Sequence, residues 1–302
     1  MPLRAALAAN FDLERTTLPM YGRREFLQLA ITAAGILAAE KVTLEAAEHR
    51  PLGVQLYTVR DAAERDLPAV LADIRKIGYR EVETYWNVYT HPAAELRRMI
   101  TDHGLRVPSG HFDYDGLEAK IDYAKTLGVE YMICPMLPEK MWYELDGFKR
   151  AAEQLNVWGE KVRQAGMQLG FHNHNYEFRR FGDTTGFATL MQRTDPKLVC
   201  LEMDCSWIVQ AGEDPLKMFE RYGSRIKEVH LKDRKPGFPA SPVKDASAEH
   251  FTEVGSGTIP WKPILDTAEK DGVKHFYVER DSGDLPAMES LRVSFAYLEP
   301  LL

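Results

Sequence analysis

Short apolar runs alternate with helix-length amphipathic stretches from residue 52 to the end of the chain. The apolar runs predict strands at 52–59, 81–86, 106–112, 131–136, 168–174, 199–205, 226–232 and 275–280. The amphipathic stretches predict helices near 66–77, 92–103, 116–127, 148–165, 184–194, 214–222, 260–271 and 286–298. A glycine directly follows each of the first four helices, as is usual where a helix ends in a left-handed residue. This alternation predicts a parallel sheet, and eight such units in about 250 residues close naturally into a (β/α)8 TIM barrel.

A doubly wound open sheet is the competing fold, but no Gly-x-Gly-x-x-Gly pattern follows the first predicted strand. We therefore expect residues 51–302 to form a single barrel domain. One connection, 233–258, contains three prolines and shows no helical periodicity. A loop of this length in a compact domain is usually functional or disordered. Because it follows the seventh strand, it is expected at the mouth of the barrel.

The first 50 residues form an N-terminal extension of a different character. Arg23 and Arg24 precede an Ala-rich, mildly apolar segment at 29–39, which resembles a twin-arginine signal peptide. The segment is short for a membrane span, and an amphipathic helix with two surface arginines is the alternative. A functional signal implies export of the folded protein by the twin-arginine translocation machinery, to a periplasmic or membrane-tethered location. Without such a signal, a cytoplasmic location is expected.

The overall composition argues against a nucleic-acid partner. The chain has 45% apolar and 27% charged residues, which is ordinary for a globular protein. Its net charge of −7 disfavours binding to a phosphate backbone. The three cysteines, Cys134, Cys200 and Cys205, lie in apolar runs and are spaced like neither a zinc site nor a disulfide framework. Buried, unpaired cysteines are therefore expected.

Four apolar runs of the second half end in metal-type or acid–base side chains. Because side chains alternate along a strand, the polar residues pair up on one face: His172 with His174, Glu202 with Asp204, His230 with Lys232, and Glu279 with Asp281. The carboxyl ends of parallel barrel strands surround one mouth, where the chemistry of such barrels takes place. Mixed imidazole and carboxylate ligands suit one Mn²⁺, Co²⁺, Zn²⁺ or Fe²⁺ ion better than Mg²⁺ or Ca²⁺. Such an ion could polarise a carbonyl and stabilise a developing enediolate.

Across residues 52–299 the chain resembles the sugar phosphate isomerase/epimerase family of xylose isomerase-like TIM barrels. The resemblance rests on the segments 53–60, 171–178, 203–207, 230–233, 253–257 and 278–281. It implies one divalent metal held at the ends of strands five to eight, by His172, Asp204, His230 and Glu279. It also implies a metal-dependent isomerase or epimerase that abstracts a proton next to the carbonyl of a sugar, with Glu279 as a catalytic base.

One position departs from the pattern of ketose epimerases, which carry a glutamate at the end of strand five where this chain has His172. The second acid–base group is then Glu177, Glu83 or His174, the last with a pKa near neutrality. The His-Asn-His pattern resembles a subgroup that includes inosose dehydratase-like and 3-keto-glycoside-cleaving enzymes. Dehydration or cleavage of a keto-sugar or 3-keto-glycoside by a lyase-type reaction is therefore the alternative function.

The remaining polar and aromatic residues near strand ends are candidates for binding a small sugar or keto-sugar: His111, Lys232, Arg280, Tyr57, Trp86 and Trp207. Lys232 and Arg280 could equally neutralise the carboxylates, and the aromatic residues could form walls. Residues 255–257 could cradle a phosphate, although a plain turn is expected. An endonuclease IV-like nuclease and a non-catalytic sugar binder are more remote functions. The sequence leaves open whether the chain forms a homo-oligomer.

Overall fold

The computed structural model describes residues 50–243 and 246–302. The predicted twin-arginine segment lies outside these residues. Among the described helices, none has both the length and the apolar character needed to cross a bilayer.

Eight parallel strands form a closed barrel, in which each strand pairs with its neighbours in the chain and the last pairs with the first. The strands, numbered β1 to β8, are Leu52–Gln55, Glu81–Thr84, Arg106–His111, Tyr131–Cys134, Gln168–His172, Val199–Asp204, Ile226–Leu231 and His275–Val278. At the closing seam, Gly53 of β1 lies opposite Tyr277 of β8. The predicted (β/α)8 TIM barrel is confirmed.

Helices separate consecutive strands, as required for a parallel sheet. Numbered α1 to α9, they are Arg60–Ile77, Ala93–Asp102, Ile121–Leu127, Leu145–Gln164, Gly186–Arg193, Cys205–Ala211, Pro215–Tyr222, Trp261–Lys270 and Ala287–Leu298. Helix α6 was not predicted, because its sequence continues the apolar run of β6. It begins there because the Asp204 side chain accepts a hydrogen bond from the Trp207 backbone N–H at 2.8 Å and caps the helix.

Two short antiparallel ribbons extend from the barrel. One pairs Arg180–Phe181 with Thr184–Thr185, and the other pairs Asp233–Arg234 with Phe251–Thr252. The second ribbon lies within the long connection after β7. This connection therefore contains regular structure that its proline-rich sequence did not predict.

The alternation of side chains along the strands gives the barrel an apolar outside and a polar inside. Outward residues such as Phe171, Met203 and Val229 belong to one large apolar cluster with the surrounding helices. The intervening positions carry buried polar groups that meet across the barrel; for example, His230 of β7 contacts Glu83 of β2. The hydrophobic core consequently lies between the strands and the helices, while the barrel interior holds a network of buried polar side chains.

Candidate active site

The four predicted metal ligands lie together at the carboxyl end of the barrel. His172 and Asp204 end β5 and β6, His230 lies on β7, and Glu279 follows β8; all four are buried. His230 Nδ1 is 2.9 Å from Glu279 Oε2, and His172 Nε2 is 3.9 Å from Asp204 Oδ2. Two ligand atoms about 2.1 Å from one ion are at most about 4.2 Å apart, so both pairs of atoms could share an ion.

These residues fit a divalent metal ion by their chemistry. Asp204, His230 and Glu279 each offer a ligand atom within 4.8 Å of the others. Asp204 Oδ2 is buried, accepts no hydrogen bond from the described residues and makes an ion pair with Lys232 Nζ at 3.2 Å. Mixed imidazole and carboxylate donors are typical for zinc, manganese, iron or cobalt. The group can therefore hold a metal, whose identity the ligands alone do not select.

Lys232 lies within the carboxylate cluster. Its Nζ is 2.8 Å from Glu279 Oε2, 3.2 Å from Asp204 Oδ2 and 3.1 Å from Asp281 Oδ1. Burial alone would lower the pKa of Lys232, but the three carboxylates outweigh it and raise this pKa well above its ordinary value. The ammonium group is therefore charged. Of its two predicted roles, the structure shows the neutralisation of carboxylates.

The same contacts determine the charge of the neighbouring acids. Burial would raise the pKa of Glu279, but Lys232 and His230 hold it well below its ordinary value. Glu279 is accordingly an anion at neutral pH. At Asp281, burial outweighs the contact with Lys232 and raises the pKa to about 6. Two carboxyl groups that share one lysine thus differ in acidity because of their surroundings.

His174 lies next to the predicted ligand His172, with ring centroids 5.0 Å apart, and beside two aromatic rings. Its ring centroid is 5.1 Å from that of Trp207 and 5.9 Å from that of Tyr176. Burial, together with His172 and Lys232, lowers the pKa of His174 well below its ordinary value. The imidazole is therefore neutral, and its buried Nδ1 has no hydrogen-bond partner among the described residues. A neutral imidazole with a free nitrogen can serve as a base.

Glu177 is turned toward the backbone. Its carboxyl Oε2 accepts a hydrogen bond from the His174 N–H at 2.9 Å, and burial raises its pKa to about 8. Glu177 therefore supports the loop that carries His174.

Glu83 and His111 lie in a layer below the predicted ligands. Glu83 Oε2 is 2.7 Å from His230 Nε2, and His111 Nε2 is 2.8 Å from Glu202 Oε2. Both residues are fully or almost fully buried. His111 consequently contacts the acids of the barrel interior, whereas the sequence suggested a contact with substrate.

Two acids of this layer, Glu202 and Glu228, were missed as site residues. Each stands two positions before a predicted ligand, Asp204 or His230, and shares its face. The period-two alternation of the strands was the available signal, since both acids lie on the inward face but before the strand ends. Glu202 lies next to both His111 and His172.

The other predicted substrate contacts are spread around the rim. Tyr57 and Trp86 form an aromatic cluster with ring centroids 5.6 Å apart, and Trp86 is 38% exposed. The Trp207 ring lies 5.4 Å from Lys232 Nζ, close to the predicted ligands. Arg280 is buried and donates hydrogen bonds to Glu253 and to the Leu285 carbonyl. Its guanidinium is thus held in the wall.

The glycine-rich turn at 255–257 already binds a carboxylate of the protein itself. The backbone N–H groups of Gly255 and Gly257 donate to the carboxylate of Asp233. The expected plain turn is therefore stabilised from within, and these groups are not directed toward a phosphate.

A closed parallel barrel with acid–base and metal-type side chains at its carboxyl end is the architecture of a TIM-barrel enzyme. A family model described as xylose isomerase-like TIM barrel matches residues 71–301, and the chain belongs to this family. It is 34% identical over 226 residues to an inosose dehydratase of Lacticaseibacillus casei, covering 65% of this chain and 75% of that protein.

Two further proteins are similar to this chain. An inosose dehydratase of Clostridium botulinum (strain Alaska E43 / Type E3) is 32% identical over 239 residues, covering 67% of this chain and 77% of the relative. The crystal structure of a sugar phosphate isomerase/epimerase from Parabacteroides distasonis ATCC 8503 is 27% identical, with a TM-score of 0.70 and coverage of 84% of this chain and 95% of that chain. The relatives therefore include both lyase and isomerase names.

Proposed function

We propose that this protein is a metal-dependent lyase that expels water, or another β-oxygen substituent, from a keto-sugar or cyclic polyol ketone. The observation that carries the proposal is the neutral imidazole of His174, whose Nδ1 has no hydrogen-bond partner among the described residues. Epimerisation by two opposed carboxylates needs a second free acid. Among the described residues of the mouth, Asp204, Glu279 and Asp281 are all paired with Lys232. The inosose dehydratase relatives support the same chemistry.

His172, Asp204, His230 and Glu279 would hold the metal ion. When bound, such an ion would draw electron density from the ketone oxygen and so acidify the neighbouring C–H bond. His174 Nδ1 then takes the proton from that carbon. The C–H electrons form a new C=C bond as the β C–O bond breaks. The protonated imidazole returns the proton to the departing oxygen.

Lys232 and the aromatic residues have supporting roles in this proposal. The ammonium group of Lys232 stays charged and balances the three carboxylates around it. Trp207, which flanks both His174 and Lys232, provides an apolar wall that excludes water from the proton transfer. Trp86 is exposed at the rim, where it can stack on a sugar ring.

A metal-dependent isomerase or epimerase is the second candidate. It shares the first step, abstraction of a proton next to a ketone, and differs because the proton returns to carbon. The likeness to the isomerase/epimerase structure from Parabacteroides distasonis favours this candidate. The same residues would bind the metal in both reactions.

Incubation of the metal-loaded protein in D₂O with an inosose, a ketohexose and a 3-keto-glycoside separates the two candidates. A lyase releases water or the aglycone and forms an absorbing enone, detected by mass spectrometry and ultraviolet absorbance. Uptake of deuterium without loss of oxygen would instead identify an isomerase or epimerase. In either case His174→Asn should lower the rate about 10²–10⁴-fold and retain the metal. A variant as active as the wild type would exclude His174 as the base.

A further inference from the structure

In each histidine of the proposed ligand set, the ring nitrogen that points into the barrel interior faces a carboxylate. His172 Nδ1 is 2.8 Å from Glu202 Oε2, while its Nε2 faces Asp204 Oδ2 at 3.9 Å. The arrangement at His230 is reversed. Its Nε2 is 2.7 Å from Glu83 Oε2, and its Nδ1 is 2.9 Å from Glu279 Oε2. The two imidazoles therefore point different nitrogens toward the mouth.

We propose that Glu202 and Glu83 are positioning residues that fix which nitrogen of His172 and of His230 binds the metal. This inference rests on the ligand set of the proposed function. An ionised carboxylate only accepts hydrogen bonds, so the ring nitrogen that faces it carries the hydrogen. An imidazole that binds a metal ion keeps one such hydrogen, and its other nitrogen presents the lone pair to the ion. Glu202 thus directs Nε2 of His172 to the metal, and Glu83 directs Nδ1 of His230.

The layer below the metal site is itself held rigidly. Gln55 Nε2 donates to Glu83 at 2.7 Å, and Ser109 Oγ donates to Glu83 at 2.6 Å. His111 Nε2 lies 2.8 Å from Glu202 and 3.3 Å from Glu83 and so connects the two acids. Both acids are completely buried. Water therefore does not compete for their hydrogen bonds, and each carboxylate can hold its histidine in one orientation.

The test measures metal affinity and ligand geometry in Glu202→Gln and Glu83→Gln, without any substrate. An amide has nearly the same shape but presents both a donor and an acceptor, so it no longer enforces one tautomer. We expect Zn²⁺ and Co²⁺ to bind about 10- to 100-fold more weakly in each variant, measured by competition with a chromophoric chelator. The visible absorption bands of bound Co²⁺ should also shift, because the histidine geometry changes.

Glu81→Gln is the matched control. Glu81 is as deeply buried and also faces a histidine, with its Oε2 2.9 Å from His275 Nδ1, but neither residue belongs to the proposed ligand set. Its replacement should leave the metal affinity and the Co²⁺ spectrum unchanged. Circular dichroism verifies the fold of each variant. If Glu202→Gln does not fold, Glu83→Gln tests the same inference at His230.

The possible outcomes separate this inference from the metal site itself. If the wild-type protein binds one ion, and Glu202→Gln and Glu83→Gln bind it with the same affinity, the positioning role alone is overturned. Wild-type protein that binds no ion would overturn the ligand set, and the positioning role with it. Two ions per wild-type chain, or an ion that is lost in Glu202→Gln and retained in Asp204→Ala, would also overturn the inference, since His111, His172, Glu202 and His230 could then hold an ion themselves. Weaker binding in all three variants would show a general effect of interior charge and would contradict the specific role.

Discussion

At the scale of the residue, burial decides the protonation of Glu177. Its side chain has no exposure to solvent and accepts a backbone hydrogen bond from His174. Desolvation disfavours the charged form of a carboxyl group, and the pKa of Glu177 rises to about 8 as a result. The group is therefore neutral at pH 7, although it lies beside the active-site loop.

This shift predicts that stability depends on pH through Glu177. Its pKa is higher in the folded than in the unfolded chain. The contribution is therefore fully present below the unfolded value of 4.5 and is lost as the pH rises to about 8. The loss is on the order of a few kcal/mol.

Between pH 5 and pH 8, wild-type protein should lose more stability than Glu177→Gln, as measured by urea unfolding of the metal-free proteins. The exposed Glu220→Gln is the control, and parallel pH profiles for wild type and Glu177→Gln would refute the assignment.

At the scale of the element, Asp233 joins β7 to the segment before α8. Its two carboxylate oxygens accept hydrogen bonds from the backbone of Arg234, Gly255, Gly257, Thr258 and Ile259 and from the Trp261 indole. A Cβ on residue 257 would lie 2.1 Å from Asp233 Oδ1, so this close approach requires glycine. One side chain thus organises a connection whose described residues contain no α-helix and no long strand.

Asp233→Asn should loosen this connection. The amide has one accepting oxygen in place of two and no charge, so several buried N–H groups lose their partner. Each unsatisfied group costs about 1–3 kcal/mol, and we expect a loss of about 2–4 kcal/mol in unfolding free energy. Hydrogen exchange at residues 255–259 should accelerate more than at the strands. Asp102→Asn, at an exposed helix end, is the control; equal protection of 255–259 in both variants would show that Asp233 does not anchor the segment.

The elements were largely predictable because strand and helix periodicities differ. Glycines 78, 104, 128 and 166 all have positive φ at helix ends, as their positions indicated. Boundaries failed where local contacts override the pattern. Helix α1 runs from Arg60 but breaks at the non-helical Asp66; the helix after Asp66 begins where it was predicted, whereas the turns from Arg60 before it were not predicted. The short ribbon at Asp233 pairs residues far apart in sequence, which no local pattern reveals.

At the scale of the whole molecule, closure of the barrel brings charges from opposite strands together. The alternation of side chains along the strands predicted that His172, Asp204 and His230 lie at one end of the barrel. It could not show that His111 turns to Glu202 across the barrel, because such a contact depends on barrel diameter and on side-chain rotamers. It also could not show that Lys232 lies among three acids. The site was therefore predictable as a set of positions, and its internal hydrogen bonds were not.

The concentration of buried acids predicts that metal binding stabilises the whole barrel. An ion that binds only the folded state adds about 2.7 kcal/mol at a concentration 100-fold above its Kd. For a domain of this size that is a rise of about 5–10 °C in Tm. Calorimetry with chelator and with added Zn²⁺ or Mn²⁺ should show this rise in wild-type protein and not in Asp204→Ala. An equal rise in Asp204→Ala would place the bound ion elsewhere.

The alignment of strand β7 and of the residues after it determines both the stability of the barrel and the arrangement of its candidate active site. His230 and Lys232 face the interior, whereas Asp233 points to the connection that it anchors. Since side chains alternate, a slip of one residue would reverse every one of these directions. The ammonium and imidazole groups would then leave the cavity, and the anchor would lose its glycine turn. Only one alignment of this strand with its neighbours places His230 and Lys232 in the interior and Asp233 at the glycine turn. A misaligned barrel would therefore lose its stability and its candidate active site together.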